Sequence, residues 1–336
     1  MPDIDYLPVT ALGKADTFAE DWQNRYLPLW QNMKSGVLTT VDGIQLQYYA
    51  HRTEAASQAF VISPGRMELA VKYAELAFEL VQAGYSVYLL DHRGQGLSQR
   101  ELANPHKGYV NDFAQYQQDL AYFVNHTVVP AGHSRHIALG HSMGCAILAG
   151  YLQNHPHPFS AAILASPMFG IYTGLVPYRL AQSLALAYGY VNRWLSKDIW
   201  YFPGQGDYHE KPFLHNPLSH CQSRYQWLMQ LYQQYPKAQL GGVTTRWISA
   251  AITAMQQIKQ RAAQWTLPVL LLQAGADKVV SNHAQNLWYQ QLSASLLRSK
   301  VHIAKAKHEI FMETDNVRQQ AVSAINQFLQ QLPGSD

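Results

Sequence analysis

The stretch Gly140-His141-Ser142-Met143-Gly144 decides how the chain is read. Residues 136–140 form an apolar run of strand length, and Met143–Asn154 has the composition of a buried helix. A serine between two such elements sits on a turn too tight for bulky neighbours, and the glycines at 140 and 144 relieve the crowding. The turn thrusts the serine hydroxyl out above the sheet edge. Small-residue turns also occur with no chemical consequence. Here the strand before and the helix after select the nucleophile reading for Ser142. A serine hydroxyl is a poor nucleophile unaided, so a base and a group to orient it are expected elsewhere in the chain.

Working outward, strand-like and helix-like segments alternate on both sides of that turn. Residues 14–30 read as an N-terminal helix, and 36–40 and 43–50 as an antiparallel pair joined at Val41-Asp42-Gly43. Strands follow at 59–63, 85–90 and 161–165, with helices at 70–82 and 112–128. The alternation argues for an α/β fold, a mostly parallel central sheet flanked by helices. Between about Met168 and Leu240 it lapses into helical stripes without a buried strand, among them Leu180, Leu184, Val191 and Leu195. Strands resume at 268–272 and 300–303, with helices at 284–292 and 316–332. The expected organisation is therefore a core of residues 1–167 and 241–336 interrupted by a helical cap at 168–240. Such an insertion belongs over the carboxyl edge of the sheet, where open α/β sheets hold their ligands.

The acid and the base are expected in that chain order after the nucleophile. The strand at 268–272 runs through Gln273-Ala-Gly-Ala into Asp277, and the strand at 300–303 runs through Ala304-Lys-Ala-Lys into His308. Both side chains therefore stand just past strand ends, as Ser142 does. Asp277 could instead cap the next helix, but Ser281 and Asn282 suit that role better. Glu309 and Glu313 compete with Asp277 as the acid. Two backbone N–H groups should receive the developing oxyanion, those of Met143 and of Arg66 in the loop Pro64-Gly65-Arg66-Met67-Glu68. The Arg66 and Glu68 side chains fall beside the same pocket, either as substrate contacts or as an ion pair. Asp91-His92-Arg93-Gly94-Gln95-Gly96-Leu97-Ser98 fails the dinucleotide pattern, since Gln99 stands where the third glycine belongs. It reads as a structural loop bordering the site.

Composition narrows the function. A formal net charge of +3 without clustered Lys and Arg argues against nucleic acid as a partner. Cys145 and Cys221 are too far apart for a metal or redox CxxC pair, and pairs such as His155/His157 lack acidic or cysteine neighbours, so no metal is expected. Residues 1–6 lack a basic and an apolar leader region, and no apolar run reaches the ~20 residues that span a bilayer. A cytoplasmic protein is expected, with peripheral contact at the inner membrane left open.

Beyond these single motifs, the strings at 63–77 (SPGRMELAVKYAELA), 91–98 (DHRGQGLS), 166–171 (SPMFGI), 240–247 (LGGVTTRW) and 308–313 (HEIFME) resemble the bacterial lysophospholipase L2 family, kin of the monoacylglycerol lipases. The resemblance spans nearly the whole chain and implies an α/β-hydrolase fold. It also implies the residues Ser142, Asp277 and His308, an oxyanion pair at Met143 and Arg66, and no cofactor. The implied substrate is a lysophospholipid, cleaved at its fatty acyl ester through an acyl-enzyme that another alcohol could also intercept. A monoacylglycerol lipase or general carboxylesterase is the alternative. An iminopeptidase or a non-catalytic binding protein is more remote, since all three reactive residues are present. The chain departs from related lipases at Pro64, where they carry histidine, and at Cys145, where they carry glycine. The cap matches least well.

Overall fold

The computed structural model describes residues 7–54 and 56–333. The N-terminal hexapeptide read above for a leader lies outside them. Eight strands form one sheet: β1 (Lys34–Thr39), β2 (Gln45–His51), β3 (Gln58–Ser63), β4 (Ser86–Leu90), β5 (Arg135–His141), β6 (Phe159–Ala165), β7 (Val269–Ala274) and β8 (Arg298–Ile303). Their order is β1-β2-β4-β3-β5-β6-β7-β8, with β2 antiparallel to both its neighbours and every other pairing parallel.

The central strands are buried on both faces, which explains their continuous apolar runs. Ala59, Val61, Ala138, Leu164 and Leu271 point into one core layer, and Phe60, Ile62, Leu139, Ile163 and Leu272 into the other. Among the described residues, ten α-helices accompany the sheet. A short pair, α1 (Phe18–Asp21) and α2 (Leu27–Asn32), is joined by the π-turn Trp22–Tyr26. Then come α3 (Ala74–Gln82), α4 (Ala114–Phe123), α5 (Met143–Asn154), α6 (Tyr178–Leu195), α7 (Gln222–Gln234), α8 (Thr245–Gln260), α9 (Asn282–Gln290) and α10 (Asp315–Gln330). Side chains of α4, α5, α8 and α9 fill the first layer, and those of α3 and α10 the second.

Between β6 and β7 no strand of the sheet intervenes among the described residues. The sequence pattern left α8 unassigned, although Thr244 caps it by accepting from Trp247 N, and Trp247, Ile248, Ala251, Ile252 and Met255 make its buried stripe. One face of α8 packs on α5 and another carries α6. The α6 stripe is mostly turned outward: Leu180, Leu184, Val191 and Leu195 are all exposed.

Candidate active site

Three strand ends converge on the carboxyl edge of the sheet. At β5 the chain enters α5 through Ser142, held at φ 51°, ψ −116°. That left-handed conformation is strained for a residue with a side chain, and it persists because its surroundings over-determine it. Ser142 N donates to Ala165 O at 3.0 Å, and Ser142 O accepts from Met168 N at 3.0 Å. Gly144 is fixed by closeness, since a β-carbon there would lie 1.9 Å from the Ser63 carbonyl oxygen.

Asp277 follows β7 and His308 follows β8, and their side chains meet with His308 Nδ1 2.8 Å from Asp277 Oδ2. Asp277 Oδ1 accepts from Val279 N at 2.7 Å and Val280 N at 3.1 Å, so the backbone fixes the carboxylate's orientation. The N-cap of α9 is Ser281, which leaves Asp277 free for His308. The two rival acids are committed elsewhere. Glu309 bonds Lys72, and Glu313 accepts from His220, Lys307 N and Thr314 N. Ser142 and His308 border one cavity of about 510 Å³.

The loop after β3 forms the opposite wall. Its Gly65 N donates to Glu68 Oε2 at 2.6 Å, and Gln95 brackets it by donating to Gly65 O and accepting from Met67 N. Gln95 gives the 91–98 loop its purpose at the site, and Asp91 secures the same loop by accepting from Ala70 N and Leu97 N. Among the described residues neither Arg66 N nor Met143 N has an intramolecular acceptor. One unclaimed donor thus directly follows Ser142, and the other lies on the loop after β3 that borders the same cavity.

Of the two readings of Arg66 and Glu68, as an ion pair or as substrate contacts, the ion pair does not form. The Arg66 guanidinium turns to Gly241 O at 2.6 Å and lies over the Trp247 ring, with its Nε buried and unpartnered. It meets no carboxylate among the described residues, and burial lowers its pKa to about 10, so it stays a cation at neutral pH. Glu68 instead bonds Gly65 N, Lys72, Tyr73 and His141, which uses both its oxygens and leaves no lone pair for a substrate. Glu68, His141 and Glu309 are grouped as metal ligands often are, but the Lys72 ammonium bonds both carboxylates and occupies the place a cation would take. Lys72, Tyr73, Gln95 and His141 were not singled out from sequence. The Glu68/Lys72 spacing of four was the available signal. Cys145 and Cys221 are both free, and the buried Cys145 thiol donates to Ala165 O.

This geometry and fold have relatives. The model of the serine aminopeptidase S33 family matches residues 54–315. Lysophospholipase L2 of Escherichia coli K12 is 35% identical over 319 residues, covering 94% of this chain and 93% of that protein. Probable lysophospholipase L2 of Haemophilus influenzae is 30% identical, covering 96% of this chain and 97% of the other. Among solved structures, a soluble variant of the Saccharomyces cerevisiae monoglyceride lipase, in complex with a substrate analog, superposes with a TM-score of 0.69. That pair shares 16% identity over 90% of this chain and 97% of the yeast one, which speaks to the fold alone. The architecture is that of the α/β-hydrolases. Within it, the chain belongs to the lysophospholipase L2 family of the serine aminopeptidase S33 hydrolases.

Proposed function

We propose that the protein cleaves the fatty acyl ester of a lysophospholipid through an acyl-enzyme on Ser142, and the cavity beside Ser142 is the observation that carries the reading. It is apolar toward Ile171, Phe202, Ile248 and Val280, and cationic where Arg66 and Lys211 border it. A single acyl chain suits the first part and a phosphate the second. The lysophospholipase L2 relatives support the same class of substrate.

In this mechanism Ser142 Oγ attacks the ester carbonyl carbon and passes its proton to His308 Nε2, the ring nitrogen that Asp277 leaves free. The carbonyl oxygen becomes an oxyanion received by Met143 N–H and Arg66 N–H. The bond to the glycerophospho-alcohol then breaks, and His308 returns the proton to that oxygen. Water, activated by the same imidazole, releases the fatty acid. An alcohol in place of water gives acyl transfer.

Residues 168–240 act as the cap, and their arginines stand away from the catalytic cavity. Arg224 is buried and paired with Glu75 and Asp315, which makes it a strut, and Arg179, Arg193 and Lys197 do not border the catalytic cavity. Lys211, which borders the cavity together with Arg66, takes the phosphate. Lys211→Gln should therefore lower kcat/KM for a lysophospholipid by about tenfold and spare a monoacylglycerol of the same acyl chain, from the loss of one charge-assisted hydrogen bond. Equal losses on both substrates would favour the monoacylglycerol lipase or carboxylesterase reading.

Contact with a lipid surface belongs to the same reading. No helix among the described residues is long and apolar enough to cross a membrane. Yet α6 exposes Leu184 (59%) and Trp194 (79%), with Arg179 and Arg193 on the same helix. Behind it a second, apolar cavity of about 340 Å³ borders Leu184 and Ala185 and shares Ile171, Phe202 and Ile248 with the catalytic one. The two cavities thus share apolar lining, and an amphipathic helix of this kind lies in a bilayer interface. In sedimentation with phosphatidylglycerol-containing vesicles, the wild-type protein should be carried down, and Leu184→Ser/Trp194→Ser should lose most of that binding. A wild-type protein left in the supernatant would refute the docking.

A further inference from the structure

Beneath the site, four charged side chains are buried together: Glu68, Lys72, His141 and Glu309, none more than 7% exposed. We infer that His141 is held as an imidazolium and acts as a positioning residue that joins the nucleophile's turn to the oxyanion loop and to the base. Its catalytic consequence rests on the Ser142–His308 reading above; its protonation state does not.

The protonation state follows from counting donors. His141 Nδ1 lies 2.8 Å from Glu68 Oε1, and Nε2 lies 3.1 Å from the His308 carbonyl oxygen. Glu68 Oε1 also receives Lys72 Nζ at 2.8 Å, while Oε2 receives Gly65 N and the Tyr73 hydroxyl. Three donors besides His141 already meet this carboxyl, and against the cost of burial the Lys72 ammonium holds its pKa well below the usual carboxylate range, so Glu68 is ionised. A carbonyl oxygen never donates. Both ring nitrogens of His141 therefore face pure acceptors, and both must carry hydrogen. Charge agrees, because two carboxylates and two cations sum to zero in a place where an unbalanced charge is costly. Burial alone would push the His141 pKa down, but Glu309 and Glu68 outweigh it and raise it.

The contacts define what such a residue does. Through Glu68, His141 is tied to Gly65 N and so to the direction of Arg66 N–H. Through Nε2 it holds the main chain of His308, whose carbonyl also accepts from Ser166 Oγ at 2.8 Å. Its ring lies 4.8 Å from the His308 ring, centroid to centroid. Other ionisable groups around the two rings are Asp277 on His308 Nδ1, Glu68, Lys72 and Tyr73 after β3, Glu309 after β8, and Arg66, His209 and Lys211 along the cavity.

His141→Gln keeps a neutral hydrogen-bonding side chain and removes the charge. The cluster then carries one net negative charge beside His308. The acid limb of the kcat/KM profile on a short p-nitrophenyl ester should move to higher pH by about one unit, the scale of a neighbouring-charge effect. A purely structural residue would lower the rate and leave the limb in place, and that result overturns the coupling. Nitrogen-15 NMR of Ser142→Ala protein reads the charge without any need for turnover or for a folded His141 variant. Both His141 ring nitrogens should resonate as protonated at pH 7, and one unprotonated nitrogen would overturn the assignment. Two protonated nitrogens with an unmoved limb would instead reject the link to His308.

Discussion

Replacing Ser142 by alanine is expected to lower ester turnover by about 10⁴-fold or more while the protein stays folded. The residue is 6% exposed, and among the described residues its hydroxyl makes no hydrogen bond that the fold depends on. The turn is held by main-chain bonds to Ala165 and Met168 and by the close approach of Gly144 to Ser63, all of which survive the substitution. His308→Ala should cost as much, because a serine without its base is as inert as no serine. The backbone carbonyl of His308 remains to accept from His141 and Ser166, so the loop should hold its shape. Thermal unfolding checks the fold, and single-turnover kinetics the chemistry. Near-native esterase activity in Ser142→Ala would remove the mechanism altogether.

The second large effect is expected at Asp277. In Asp277→Asn, the side-chain oxygen can keep the bonds from Val279 N and Val280 N, which turns the amide nitrogen toward His308 Nδ1. An N–H facing Nδ1 imposes the tautomer that carries its proton on Nε2, the wrong nitrogen for accepting from Ser142. We expect a loss of about 10³-fold in kcat, less than for the nucleophile, because Asp277 orients and stabilises without reacting. Glu313→Gln is the control. Its carboxylate serves His220, Lys307 N and Thr314 N and should matter for loop stability rather than for the pH-dependent rate. A mild Asp277→Asn beside a severe Glu313→Gln would mean that the acid is misassigned.

The parts of this protein that were legible in its sequence are those where local geometry leaves little choice. A strand, a turn that must be nearly free of side chains, and a helix can be read from 136–154 because packing and backbone strain are both local there. Asp277 and His308 could be read from strand ends because the parallel sheet brings all such ends to one edge. What could not be read depends on residues distant in sequence. The buried pairing of Arg224 is one such case, since its partner Glu75 lies 149 positions earlier in the chain. Glu68 looked like a partner for Arg66, its neighbour but one, until the fold brought Lys72, His141 and Glu309 around it. The α6 stripe was visible as a pattern, yet periodicity cannot tell a face packed on protein from one left bare. For α8, by contrast, the signal is local, in the Thr244 cap and the buried stripe from Trp247 to Met255.

The account stands on Ser142 being the residue that takes the acyl group. A fluorophosphonate probe phosphonylates such a serine and no ordinary hydroxyl. Peptide mapping by mass spectrometry should find one adduct per chain, on Ser142, formed more slowly when a lysophospholipid competes for the cavity and absent from His308→Ala. An adduct on another serine, or a protein that hydrolyses lysophospholipid while Ser142 stays unlabelled, would contradict it.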